Sequence, residues 1–352
     1  MTGGRRRTLS AAVPALILAA ALPGCGAGDH MLHKTQLFAM GTLVDISIWT
    51  RDAERARRGV TAVTRVLNDA DHRWHAWKPS ALTRINERIA AGEPAVVDPE
   101  TADLIKKSMA FSAASDGLFN PAIGKLIGLW GFHSDDRPDE PPPPQARIDA
   151  LLAQAPTMAA LHFEGGRLYS ANPNVQLDLG GVAKGYAVAL AVNTLLKMGI
   201  GNAVVDAGGD LRAVGRHGNR PWRIGIRDPR RSGVIASIES QGDESIFTSG
   251  DYERYFTYQG KRYHHIIDPR TGYSSVGAAS ATVIDQDAAK ADAAATALMV
   301  AGPDKWQSTA RSMGLTYVML VDHAGTVYMS PAMATRIRFE ASPAPKVVIG
   351  SL

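Results

Sequence analysis

Leu177-Asp-Leu-Gly-Gly-Val-Ala-Lys-Gly-Tyr186 brings a carboxylate, a glycine pair, a lysine and a third glycine into one short run. Apolar residues follow at helical spacing through Val188, Leu190, Ala191, Leu195 and Leu196, the mark of a helix with one buried face. The stretch therefore reads as a strand end, a glycine turn and a helix start. Such a junction offers unpaired backbone N–H groups and the positive end of a helix dipole. Asp178 and Lys184 would then frame a place for something charged, an anionic phosphate above all. The same residues also suit an ordinary glycine-rich turn carrying a surface lysine. Neither GxGxxG nor GxxxxGK[ST] is present, which removes the two familiar phosphate loops.

Outward from this turn the chain mixes strand and helix patterns. Upstream, Phe38-Ala-Met-Gly-Thr-Leu-Val-Asp-Ile-Ser-Ile-Trp49 alternates Leu43, Asp45, Ser47 and Trp49 against Val44, Ile46 and Ile48, a strand pattern within 35–50. A helix is expected over 52–68, with Asp52 as its cap and Val60, Val63, Val66 and Leu67 on one face. A loop at Trp74-His-Ala-Trp-Lys-Pro79 precedes helices at 80–89 and 99–115, the second ended by Asp116-Gly117. Downstream, 203–214 reads as a strand and turn. Further strands are expected at 222–226, 234–238, 245–248, 255–258, 280–283 and 316–320, and an alanine-rich helix at 288–300. Elements in this order, with several hairpins, predict an α+β fold of mixed, largely antiparallel sheets packed with helices. There is no internal repeat. Residues 132–144, with Asp-Asp, Asp-Glu and four consecutive prolines, are expected to form an exposed loop and not a domain linker.

The start of the chain sets the compartment. Arg5, Arg6 and Arg7 precede a mostly apolar run from Leu9 to Leu22, followed by Pro23-Gly-Cys25. This reads as an export signal, too short for a membrane span. Cys25 is the only cysteine and stands where a bacterial lipoprotein is cleaved and lipidated; a soluble periplasmic protein cleaved elsewhere is the alternative. A single cysteine leaves no intramolecular disulfide and no cysteine-based metal site. The expected organisation is a signal peptide at 1–24, a tether at 25–34 and one domain at 35–352 with the proline-rich exposed loop at 133–144. The protein would work on the periplasmic face of a bacterial membrane, held there only by a lipid anchor. Removing 1–24 takes three arginines and no acid from a net charge of +4, leaving +1. With no basic run interleaved with aromatics, nucleic acid is not a partner.

Three more stretches carry groups able to do chemistry. Thr248-Ser-Gly-Asp-Tyr-Glu-Arg-Tyr255 is a polar turn between strands, in which Asp251 reads as a turn residue before a catalyst. In His264-His-Ile-Ile-Asp-Pro-Arg-Thr-Gly272 the two histidines are either catalytic or hydrogen-bonded strand residues. In Ala291-Asp-Ala-Ala-Ala-Thr296 the acid and the hydroxyl fall one helical turn apart on one face. Oxygen ligands of that kind suit Mg²⁺, although a helix cap and a buried helix threonine would look the same.

Taken in order, Phe38-Ala-Met-Gly-Thr42, Asp116-Gly-Leu-Phe-Asn-Pro121, residues 177–186, Ser249-Gly-Asp-Tyr-Glu-Arg254, His265-Ile-Ile-Asp-Pro-Arg-Thr-Gly272 and residues 291–296 closely resemble the ApbE family. These are FAD:protein FMN transferases that act outside the cytoplasmic membrane. The resemblance runs from about residue 35 to about residue 320 and implies an ApbE/T-fold-like architecture. It implies FAD as substrate, Mg²⁺, and transfer of FMN through a phosphoester to a Ser or Thr hydroxyl of a target flavoprotein, with release of AMP. Carried over by motif, Met40, Trp77, Leu118, Phe119, Asn120, Asp178, Lys184 and Ile266 would contact FAD. The Gly181 carbonyl, Asp292 and Thr296 would hold Mg²⁺ with diphosphate oxygens, and His265 would be the base. The acceptor would be a flavoprotein of a membrane electron-transfer complex. The chain departs from the family at Asn120, where Asp is usual, and at Ala189, where an acid is usual. An FAD pyrophosphatase yielding FMN and AMP, or a non-catalytic FAD-binding lipoprotein, would share most of these residues.

Overall fold

The turn Met40-Gly41, with both φ angles positive at 54° and 71°, folds strand Leu32–Ala39 back on Thr42–Trp49. Two left-handed residues match the twist that a tight hairpin needs. These residues belong to a computed structural model describing 31–134 and 141–352. The signal sequence, Cys25, most of the tether and the centre of the proline-rich loop lie outside the described residues.

Among the described residues nine strands form one sheet, in the order in which the chain makes them. They are Leu32–Ala39, Thr42–Trp49, Ala203–Ala207, Leu211–Val214, Glu244–Gly250, Ala278–Asp285, Tyr317–Asp322, Val327–Met329 and Val347–Ile349. Every neighbouring pair is antiparallel except the last, which is parallel. The expected alternation holds: Val44, Ile46 and Ile48 are fully buried while Leu43 is exposed.

Helices Ala53–Trp74, Ala183–Lys197 and Ala288–Ser312 pack together on one face of the sheet. Val63, Leu67, Val188, Val192, Leu195 and Leu298 share a core there with Val205, Phe247 and Val283. Each such side chain contributes about 1.5–3 kcal/mol through burial. On the other face, Ile246, Ile284, Met319 and Val321 meet Ile224, Ile226, Ile235 and Ile238 of a three-stranded sheet formed by Arg223–Arg227, Val234–Glu239 and Arg338–Phe339. A third cluster centres on Trp130, with Ile148, Tyr263 and Ile267.

The alanines of Ala288–Ser312 have a packing cause. Ala291, Ala293, Ala294, Ala295 and Ala297 are all fully buried, where larger side chains would push the neighbouring elements away. Contact with Ala183–Lys197 is closest at Gly185, where an added Cβ would lie 2.3 Å from the Ala288 carbonyl oxygen. The helix kinks at Gly302 (φ 66°), beside Pro303, so the expected 288–300 segment is its first half.

Several expectations change. Leu177 is not a strand end; strand-like pairing is limited to a bridge between Ile123 and Gln176. The buried side chain of Asn86 takes the place of a partner strand, accepting from Leu177 N at 2.7 Å and donating to Leu177 O at 2.9 Å. Leu196 is exposed and not part of the buried stripe. Strand Leu32–Ala39 begins before residue 35 because it pairs along its whole length, from Leu32 opposite Trp49. The first helix continues to Trp74, whose indole N–H donates to Thr101 Oγ1 at 2.9 Å. Hairpin Leu161–Glu164/Arg167–Ser170 and helices Gly124–Leu129 and Gln145–Leu152 were too short to leave a periodic signal.

The helix contact gives a stability test. Gly185→Ala should destabilise by about 1–3 kcal/mol, because backbone and not a flexible side chain stands in the way. Gly201→Ala, with nothing within 4 Å of the added carbon, should be neutral or slightly stabilising. Urea unfolding of both variants beside the parent checks this; equal stabilities would disprove the close contact.

Candidate active site

The glycine turn is closed by Asp178. Its Oδ1 accepts from Gly180 N at 2.9 Å, its own N–H donates to the Pro121 carbonyl at 2.8 Å, and its Oδ2 lies 2.9 Å from His133 Nε2. Burial works to raise the Asp178 pKa, but His133, the Gly180 N–H and Arg254 together hold it below its ordinary value. The His133 ring stacks on Trp77 at 5.2 Å, and the Arg254 guanidinium lies 5.3 Å from the centre of the same indole. Gly128 leaves room for this, since a Cβ there would lie 2.9 Å from His133 Nδ1. His133 was expected within an exposed loop, and is instead fixed by a carboxylate and an indole.

A second corner forms where the turn meets the alanine-rich helix. A Cβ on Gly181 would lie 3.1 Å from Thr296 Oγ1 and 3.4 Å from the Phe119 ring. Thr296 Oγ1 is also 3.3 Å from Ser249 Oγ. One turn earlier, Asp292 Oδ2 accepts the Gly185 N–H at 2.8 Å, so its carboxylate caps the start of Ala183–Lys197, where negative charge is favoured. Burial and then Asp210 raise the Asp292 pKa, while Lys184 and the Gly185 N–H act against them. Lys184 Nζ donates to Asp210 Oδ2 at 2.8 Å, and Asp210 Oδ1 accepts from Thr248 N at 2.8 Å. Burial alone would lower the Lys184 pKa; Asp210 and Asp292 reverse that and keep it well above its usual range. The lysine is therefore a permanent cation.

Both nitrogens of His264 are occupied. Nε2 lies 2.9 Å from the Ser275 carbonyl, and Nδ1 accepts the Ile266 N–H at 3.3 Å. It is the hydrogen-bonded strand histidine. His265 differs: the Arg254 carbonyl takes its backbone N–H at 3.0 Å and its Nδ1 at 3.2 Å. A carbonyl can only accept, so Nδ1 carries the proton and Nε2 keeps a free lone pair. Burial first, then Arg254 and His264, push the His265 pKa down to about 3, which leaves the ring neutral at physiological pH. Asp251 is buried and held by Arg230 through two hydrogen bonds of 2.7 and 2.6 Å.

The signature of the ApbE family matches residues 40–319. The chain belongs to the ApbE family. It is 39% identical to the FAD:protein FMN transferase of Rhodobacter capsulatus, over 98% of this chain and 67% of that one. Identity to the Vibrio cholerae enzyme of the same name is 32%, over 85% of this chain and 90% of the relative. The crystal structure of the ApbE protein from Thermotoga maritima superimposes with a TM-score of 0.80 at 35% identity, covering 87% of this chain and 99% of that chain. For the flavin transferase ApbE from Vibrio cholerae the TM-score is 0.75 at 30% identity, again over 87% and 99%.

In this ApbE-family chain the remaining expected residues fall into two groups. Gly181, Phe119, Asp292, Thr296 and Lys184 come together around the glycine turn, with Trp77 near Asp178 through His133. Met40 sits half-buried at its hairpin tip, where Thr42 touches the next turn: a Cβ on Gly208 would lie 2.4 Å from Thr42 Oγ1. Leu118 and Ile266 are buried, Ile266 with its carbonyl accepting Ser275 N at 2.9 Å. The Asn120 side chain ties its own loop to a distant one, accepting from Ala122 N at 3.1 Å and donating to the Pro156 carbonyl at 2.9 Å. An Asp could not make that donation, so the amide at this departure has a local structural use. Ala189 packs half-buried on the main core. His133 and Asp210 were not singled out from sequence. The Gly208-Gly209 turn is closed by Asp206, whose Oδ1 accepts from Gly209 N at 2.7 Å, much as Asp178 closes Gly180-Gly181; Asp210, just after that turn, has no motif of its own to mark it.

The Asp178 pair makes stability depend on pH. A carboxylate held below its unfolded value of about 3.9 contributes stability above that pH and loses it as pH falls through the folded value. Asp178→Asn should therefore cost about 1–3 kcal/mol at neutral pH, with the difference from the parent shrinking below about pH 4. Urea titrations at neutral pH and near pH 3 check this; a constant gap would refute it.

Proposed function

We propose that the protein is an FAD:protein FMN transferase, attaching FMN through a phosphoester to a Ser or Thr hydroxyl of a protein acceptor and releasing AMP. The observation that carries this reading is the meeting of Gly181, Thr296, Asp292 and Lys184, with the Lys184 charge acting on His265, whose Nδ1 is turned to the Arg254 carbonyl and whose Nε2 is left free. The acceptor oxygen attacks the FMN-side phosphorus, the bond from that phosphorus to the bridging oxygen breaks, and AMP leaves with that oxygen. His265 Nε2 takes the hydroxyl proton, and a bound diphosphate close to the ring would raise its proton affinity. Lys184 stabilises negative charge on the phosphate oxygens, and the N–H groups around the glycine turn orient them. The site thus works by positioning and electrostatics.

The donor set suits Mg²⁺. Asp292 is a buried carboxylate whose pKa is raised and to which Gly185 N–H gives one hydrogen bond; such a group calls for a cation. With the Thr296 hydroxyl and the Gly181 carbonyl it offers hard oxygen ligands few enough to leave room for phosphate oxygens. Mg²⁺ held there would supply Lewis-acid neutralisation of the diphosphate. The acceptor is read as a flavoprotein of a membrane electron-transfer complex. The sequence before residue 25 supports export and lipidation at Cys25, with the enzyme on the periplasmic side. Among the described residues no helix is long and apolar enough to cross a membrane.

Incubating the mature protein with FAD, Mg²⁺ and a flavoprotein acceptor should add the mass of one FMN to the acceptor. FAD binding without an adduct would end the transferase reading, and AMP release without any acceptor would replace it with the pyrophosphatase. Asp292→Ala should abolish turnover at low Mg²⁺, and unchanged activity there would discard the metal site. His265→Ala should slow transfer about 10²–10⁴-fold while leaving FAD affinity nearly intact; equal loss of both would make the histidine structural. Cys25→Ser should move the exported protein from the membrane fraction to the soluble one, and continued membrane association would remove the anchor.

A further inference from the structure

Asp251 is only 2% exposed, yet the two guanidinium groups it holds reach the surface: Arg230 is 32% and Arg262, at 3.5 Å, 40% exposed. The negative charge lies inside and the positive charges outside, so burial of one carboxylate leaves the surface above it cationic. Arg230 also donates to His323 Nδ1 at 2.6 Å, so that ring nitrogen acts as an acceptor. Segments 227–231 and 250–264 together carry six Arg or Lys side chains against three carboxylates. Of those three, Asp251 is buried and Asp228 accepts from its own loop, at Arg230 N (2.8 Å) and Arg231 N (3.0 Å). Glu253 is the third, and burial raises its pKa. This excess stands on a chain whose net charge without residues 1–24 is +1.

The cations are also held in place. Arg262 lies 4.1 Å over the Tyr255 ring and Arg227 4.8 Å over Tyr252, whereas Lys261, the next residue along the strand, points to the opposite face of the hairpin, 5.1 Å over Tyr263. Aromatic faces attract cations and reduce the ordering that an anionic partner would otherwise have to impose. Gly250 permits the Tyr252 seat, since a Cβ there would lie 2.4 Å from the ring. The patch adjoins the histidine pair: Tyr255 stands opposite His264, on which the Arg262 charge acts, and Arg254, next in the chain to Tyr255, orients His265 through its carbonyl.

We propose that this hairpin face docks the protein acceptor by gripping an acidic segment beside the Ser or Thr that receives FMN. Arginine clusters recognise acidic segments through charge-assisted hydrogen bonds, and a charged rim next to the reacting group steers the acceptor into register. The proposal rests on the transferase reading, because it needs a macromolecular hydroxyl to arrive at His265.

The test uses the full mature chain with FAD and Mg²⁺ and three labelled peptides, each with one Thr flanked by four Asp, four Asn or four Lys. The Asp peptide should bind at least about tenfold more tightly than the Asn peptide at low salt, with the preference fading as ionic strength rises. Arg231→Ala/Arg262→Ala should abolish that preference, while flavin binding, acceptor-independent FAD turnover and thermal unfolding stay those of the parent. Equal binding of the Asp and Asn peptides, no peptide binding, or an undiminished preference in the double variant would overturn the proposal. Loss of binding to anionic phospholipid vesicles in the variant, with peptide binding unchanged, would assign the patch to a lipid surface and overturn it too. Peptide preference is read without turnover, so it fails or succeeds separately from the FMN mass gain that tests the transferase reading.

Discussion

Everything at the site depends on two helices approaching each other with no side chain between them. Where Ala183–Lys197 meets Ala288–Ser312, Gly185 faces the Ala288 carbonyl and gives its N–H to Asp292 at 2.8 Å. That contact brings a carboxylate from one helix to the opening turn of the other. It also sets Gly181 against Thr296, so oxygens from segments more than a hundred residues apart converge. The alanine-rich sequence of the second helix and the glycines of the first are two sides of one steric requirement.

Much of the fold was legible because its signals are local. The period-two pattern at 43–49, the capped helices and the alanine-rich run became a largely antiparallel sheet packed with helices, as expected, the three long ones gathering on one face. The errors arose where a long-range group substitutes for a local pattern. Leu177 looked like a strand end because it is apolar and followed by glycines, but its backbone is satisfied by the side chain of Asn86. The expected tether reaches residue 34, but strand Leu32–Ala39 is already paired there, with Lys34 opposite Ser47.

For the site, residues with chemical identity and glycine neighbours were visible, while their partners were not. Asp178 and Lys184 stand out in sequence, but His133 and Asp210, which fix their charge states, come from a loop and a turn with no motif of their own. The two histidines at 264 and 265 are adjacent and indistinguishable by type. Strand pairing separates them, aiming one into the Ser275 carbonyl and the other past Arg254.

The nine strands lie side by side in the order of their synthesis. For a chain emerging from its N terminus, each new strand finds its neighbour already made, so the sheet can grow by addition at one edge without threading. The reactive corner behaves oppositely: the glycine turn at 177–186 is made early, but Asp292 and Thr296 arrive only after six of the nine strands. An incompletely emerged chain thus holds the glycine turn without the Asp292 carboxylate that accepts the Gly185 N–H. The corner is therefore complete only once the second helix has docked.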